Sequence, residues 1–177
     1  MTGPVICPKR KRRATSGSTM IEATFCLMAF IAIIFLIMDL SWAVFAKLAL
    51  QNGVRAGVRY AVTSQTSGSL GQVASIQQEV EKQTMGFLSD AQATSLVNVC
   101  FFSVSSNPPA SLGCGTGAVA SSIGPPNSGG NLVIVSIANY PVSPFAPLYR
   151  NSAPVQLSVS SGDLIESSGP SGTPPTL

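Results

Sequence analysis

The chain has 177 residues, 45% of them hydrophobic and 10% charged, with a mean hydropathy of +0.37. That is too apolar for a disordered chain and too charge-poor for an ordinary cytosolic globule. There is no histidine, which removes the commonest general base and the commonest metal ligand. Five of the ten basic residues fall in the run Lys9-Arg10-Lys11-Arg12-Arg13, so the remainder is mildly acidic.

Residues 1–17 form a polar, basic leader in which Pro4 and Pro8 oppose a regular helix. The composition then inverts. From Ala23 to Met38 the chain carries no charge, and after Asp39 the apolar character resumes through Ala46. A helix over Met20 to Ala46 would reach about 40 Å, more than the roughly 30 Å hydrocarbon core of a bilayer. We therefore assign residues 18–46 to a transmembrane helix, with the basic leader placing the N-terminus in the cytoplasm. A removable secretory signal is the competing assignment. The run is too long for a typical apolar signal core, and no small-residue cleavage site is evident at Phe45-Ala46-Lys47-Leu48.

The segment KLALQNGVRAGVRYAV lacks proline and keeps good helix formers, so residues 47–66 should extend the helix to about Val62 before polar residues end it. Within it, Ala46, Ala49, Gly53, Ala56 and Gly57 make a small-residue stripe at three- and four-residue spacing. Such a stripe permits close backbone approach, either by another subunit's helix or by the protein's own exported domain.

Residues 67–165 read as a small extracytoplasmic domain. Val73, Ile76, Val80, Phe87 and Leu88 recur at helical spacing and predict one amphipathic helix over 71–88. Leu96–Val104, Leu132–Ala138 and Val155–Ser160 read as strands. Asn107-Pro108-Pro109, Gly113-Cys114-Gly115 and residues 124–130 carry turn chemistry, and residues 166–177 should be a disordered tail. The fold class is thus α+β: a long N-terminal transmembrane helix with an extension, then one amphipathic helix and an antiparallel sheet.

By this topology Cys7 is cytoplasmic and Cys26 lies in the membrane, leaving Cys100 and Cys114 together in the exported domain. An oxidising compartment favours their pairing, and closing a loop of about 15 residues is worth roughly 3 kcal/mol in the chain-entropy model. Two buried reduced thiols are the alternative. Neither a metal site nor a phosphate loop fits, and no nucleophile has a base beside it, so the sequence reads as neither an enzyme nor a cofactor binder. The basic run adjoins a membrane helix and lacks aromatics, which suits lipid headgroups rather than nucleic acid.

One junction exceeds generic anchoring. Gly17 closes the basic leader, Ser18 opens the next segment, and Glu22 stands five places after the glycine at the edge of the apolar run. A membrane carboxylate costs roughly 2.5–3.5 kcal/mol at the helix centre and less near the interface, so it calls for a partner unless it snorkels to the headgroups. The arrangement resembles a type IV prepilin-like signal. That resemblance implies cleavage between Gly17 and Ser18 by a prepilin peptidase, with Glu22 pairing with the freed amine of an adjacent subunit during assembly.

The longer pattern, a hydrophobic helix followed by LALQNGVRAGVRYAV, resembles the TadE-like family, pseudopilin-like proteins of the tight-adherence pilus system. It departs from the usual Glu-Tyr pair, having Glu22-Ala23. The resemblance implies a minor pilin or pseudopilin-like component of the bacterial inner membrane, single-pass, with its C-terminal domain periplasmic or extracellular. Its partners would be other pilus subunits, inner-membrane assembly proteins and lipid. The alternative is an unprocessed single-pass envelope protein with an exported binding domain.

Overall fold

A computed structural model describes residues 16–105, 107–115, 125–143, 154–166 and 174–177. The leader residues 1–15, and with them Cys7, lie outside the described residues.

Helix α1 runs unbroken over Ser16–Val62, 47 residues, or about 70 Å at 1.5 Å per residue. Its two halves live in different surroundings. From Met20 to Phe45 the large apolar side chains are exposed, save the half-buried Phe35, whereas from Ala46 onward Ala46, Ala49, Leu50, Val54, Val58 and Ala61 are buried at three- and four-residue spacing. Hydroxyls within the exposed apolar half bond to their own helix, Thr24 Oγ1 to the Met20 carbonyl at 2.8 Å and Ser41 Oγ to that of Ile37 at 2.7 Å. A hydroxyl satisfied this way needs no water. The helix ends in a Schellman motif: Ser64 takes φ 50°, its N–H reaches the Ala61 carbonyl at 3.0 Å, and the Gln65 N–H reaches that of Tyr60 at 3.4 Å.

Helix α2 (Gln72–Gln83) turns back antiparallel to α1 and buries Val73, Ile76 and Val80 against it. It stops sooner than the apolar spacing predicts, because Met85 and Gly86 both adopt left-handed backbone, φ 55° and 84°. Phe87 and Leu88 therefore sit beyond a turn rather than on the helix. A second short helix, α3 (Asp90–Leu96), was not expected; the Ser89 N–H donates to Gln92 Oε1 at 3.2 Å at its start. Only Ala93 of α3 is buried, so it carries too little apolar periodicity to be recognised.

Four strands form one antiparallel sheet in the order β2-β1-β3-β4, comprising β1 (Val97–Ser103), β2 (Ala110–Cys114), β3 (Leu132–Val142) and β4 (Val155–Leu164). The fold class is the one the sequence predicts. Strand β2, however, falls where turn chemistry was expected, and β3 and β4 run four residues longer than expected. One face of the sheet, through Val97, Val99, Phe101, Val133, Val135 and Ile137, packs on the domain-bound half of α1 and on α2 to make a single core.

A bulge divides β3. Ala138 and Asn139 together face Ser158, with Asn139 at φ 57° and its N–H donating to Ser158 Oγ at 3.2 Å. The extra residue moves the core-facing parity from Val133, Val135 and Ile137 to Tyr140 and Val142. Tyr140 is thereby aimed inward.

Of the tail expected to be disordered, Glu166 and the last four residues, 174–177, are described. The last four dock at the start of α2, where the Gln72 N–H donates to the Thr176 carbonyl at 2.7 Å and Asn127 Nδ2 to that of Pro175 at 2.7 Å. Gln72 is fully buried, and its side chain bridges the Ala61 carbonyl (3.2 Å) and Asn127 Nδ2 (2.6 Å). A buried amide satisfied at both ends ties α1, α2 and the 125–131 loop together.

Candidate assembly and anchoring surface

The exposed half of α1 is the structure's dominant surface feature. The helix is long and apolar enough to cross a membrane, with a mean hydropathy of 2.6 over its most apolar window and none of that window buried. A core helix of a soluble domain would hide such a window. Here Met20, Ile21, Phe25, Leu27, Met28, Phe30 and their successors face outward on every side, which in water would far exceed the apolar patch of an ordinary monomer.

Gly17 and Ser18 lie in the first turns of α1, and Glu22 is exposed about one turn further on. Among the described residues Glu22 is exposed, and the structure does not bring it together with the core of the domain. Cys26 is an exposed free thiol in the same apolar half. Asp39 is half-buried, one turn before Trp42.

The small-residue stripe divides between uses. A methyl placed at Gly53 would stand 2.5 Å from Thr84 Cγ2 and 2.9 Å from the Val80 carbonyl oxygen, and one at Gly57 would overlap Val80 Cγ2. These two glycines seat α2 and are closed to any other helix. Ala46 and Ala49 are buried as well, while Ala56 is half-buried beside Arg59. Of the two uses open to the stripe, seating the chain's own domain accounts for Gly53 and Gly57.

Cys100 and Cys114 face one another in the β1–β2 register and are joined as a disulfide. They alternate with the core-facing Val99 and Phe101, which places the bridge on the outer face of the sheet. It thus clamps the edge strand β2, whose only core residue is Leu112.

The domain touches the apolar half of α1 at one place that spacing alone did not indicate. The Phe87 ring lies 5.6 Å from that of Trp42 and 5.7 Å from that of Phe45, centroid to centroid. Trp42 and Phe45 are themselves 6.1 Å apart, one turn along α1. Tyr140, turned inward by the β3 bulge, donates its hydroxyl to the Phe87 carbonyl at 2.6 Å and so holds the turn; burial raises its phenol pKa. Nearby, a hydrogen bond with Asp90 raises the Glu81 carboxyl above its ordinary value, reinforced by desolvation and by the Asp90 charge and opposed by Lys82. Among the described residues no three cysteine, aspartate or glutamate side chains are grouped to hold a metal ion.

No curated protein and no solved structure matches the chain. A family model described as TadE-like protein matches residues 17–59, from the leader glycine to the domain-bound half of α1. The helix that carries both the exposed apolar span and the Gly53–Gly57 seat is therefore the part of the chain that is similar to the TadE-like family, the family that the sequence resembles.

Proposed function

We propose that this chain is a minor pilin or pseudopilin-like component of a tight-adherence pilus system, held in the bacterial inner membrane by the first half of α1 with its α+β domain outside the cytoplasm. The TadE-like family is pilus-associated and structural. The observation that carries the reading is a single unbroken helix whose first half is bare and apolar while its second half is built into a folded domain. Such a part can pass from a bilayer into a bundle of like helices without refolding, since both environments satisfy the same apolar surface.

On this reading a prepilin peptidase cuts between Gly17 and Ser18, and the carboxylate of Glu22 meets the new amine of a neighbouring subunit. A buried carboxylate needs such a cation to offset its desolvation. The partners are then other pilus subunits and inner-membrane assembly proteins. N-terminal sequencing of the membrane-bound protein, from cells with an active prepilin peptidase, tests this. A chain beginning at Ser18 is the expected result; retention of the basic leader would instead favour a permanently anchored envelope protein. Glu22→Ala should leave membrane insertion intact and lower pilus yield, and normal yield would contradict the role given to Glu22.

A further inference from the structure

The turn that joins α2 to α3 lies at an unusual level. Helices α1 and α2 run antiparallel: Ala61 meets Gln72, Gly57 meets Ile76 and Val80, and Gly53 meets Val80 and Thr84. Continuing this register brings Phe87 down to Phe45 and Trp42. A hydrocarbon core of about 30 Å that begins at Ala23 ends near Trp42 by helical rise. The Phe87 ring, in contact with both aromatic residues, therefore stands at the same height as the end of the span. Any headgroup boundary drawn through Trp42 and Phe45 passes through this turn.

The turn is built to be held there. Thr84 is fully buried and donates its hydroxyl to the Glu81 carbonyl at 2.7 Å, while the Phe87 N–H closes on the Thr84 carbonyl at 3.1 Å. From β3, Tyr140 fixes the Phe87 carbonyl. With the turn so fixed, Met85 is left 72% exposed, outside the core, on left-handed backbone that an unbranched side chain tolerates better than a β-branched one. Lys47 and Lys82 are exposed on the adjoining turns of α1 and α2, and Glu81 and Asp90 stand beside Lys82, so this end of the domain carries both signs, and it is the apolar side chains rather than net charge that suit the bilayer.

We propose that the Thr84–Leu88 turn is a second membrane contact, laying Met85 and the edge of Phe87 into the boundary between headgroups and acyl chains, beside Trp42 and Phe45. The occupant of this face is the bilayer, and the contact fixes the height and tilt of the domain on its anchor. Apolar side chains beside aromatic rings and lysines are the composition of an interfacial segment, which buries roughly 5–10 Å deep. The proposal rests on the membrane-spanning half of the proposed function and on nothing about pilus assembly.

The test uses the full chain in vesicles of phosphatidylcholine and phosphatidylglycerol, with Cys7 and Cys26 replaced by serine. An environment-sensitive fluorophore is attached at Met85→Cys or, as a control, at Leu70→Cys. Leu70 is half-exposed at the opposite end of α2, and Met85 lies outside the core, so both variants keep the fold, as near-UV ellipticity will report. Trp42, the chain's single tryptophan, reports the span independently. The label at 85 should emit at shorter wavelength than that at 70, be quenched by lipids brominated near the headgroup, and be several-fold less open to aqueous iodide. If the label at 85 is as open to iodide as that at 70 while brominated lipid quenches Trp42, the proposal fails and the span stands. If Trp42 is not quenched either, the span itself fails. A label at 85 shielded from iodide yet untouched by brominated lipid would mean that a second copy of the chain covers the face, which also overturns the proposal.

Discussion

Gly53 and Val80 approach so closely that a methyl on the glycine would stand 2.9 Å from the valine carbonyl oxygen, with Thr84 Cγ2 at 2.5 Å on the other side. Two forces oppose each other at this position. Replacing a mid-helix glycine by alanine gains about 1 kcal/mol of helix propensity, but overpacking against backbone costs about 1–3 kcal/mol. The carbonyl cannot rotate aside as a side chain can, so Gly53→Ala should lower the thermal midpoint of the domain in detergent micelles. The half-buried Ala56→Leu should change it less; an equal loss at both positions would contradict the seating of α2 on Gly53.

The Cys100–Cys114 bridge closes a sequence separation of 14 residues, which the chain-entropy model values at about 3 kcal/mol. Because β2 holds only Leu112 in the core, the double serine variant should lose urea stability of that order, with β2 amides exchanging fastest. Unchanged protection in β2 would show that β1–β2 pairing needs no clamp.

Removing the Tyr140 hydroxyl costs the bond to the Phe87 carbonyl, about 1 kcal/mol for a partly buried neutral pair. Burial raises the pKa of this phenol, so the folded state holds its proton longer than the unfolded state. The stability it contributes is present below the ordinary phenol value near 10 and is lost as pH rises through the raised folded value. Tyr140→Phe should therefore destabilise the domain at neutral pH and show a smaller alkaline loss than the native chain. Parallel alkaline curves for the two proteins would contradict this.

Glu81 shifts upward as well, chiefly through its hydrogen bond with Asp90. The folded state then binds more protons than the unfolded state, so this group's contribution is fully present below the ordinary carboxylate range and falls as pH rises through the raised folded value. Glu81→Gln should remove that fall, leaving the thermal midpoint less dependent on pH through mildly acidic conditions and no lower at neutral pH. A steeper dependence would overturn the assignment.

Much of the chain is legible where signals are local. The apolar run, the absence of proline through KLALQNGVRAGVRYAV and the alternation of Val155, Leu157 and Val159 each foretell the element that forms. The failures are long-range or break a period. Gln72 reads as a polar residue at a helix start, yet it is buried because Ala61, on the helix before it, and Asn127, 55 residues further on, complete its hydrogen bonds. The Asn139 bulge ends the apparent strand after Ala138, although pairing continues with shifted parity to Val142. Strand β2 is five residues between proline and glycine, too short to show a period. The Phe87 contact with Trp42 follows from the antiparallel return of α2, which no spacing along one helix can reveal.

The most direct measurement is the intact mass of the protein recovered from membranes washed with alkaline carbonate. The chain should stay in the pellet, and its mass should include every residue from Ser18 through the end of α1, with or without the leader. A carbonate-soluble product lacking the segment before Ala46 would contradict it, since the exposed apolar half of α1 would then be a discarded export signal rather than the anchor of the mature protein.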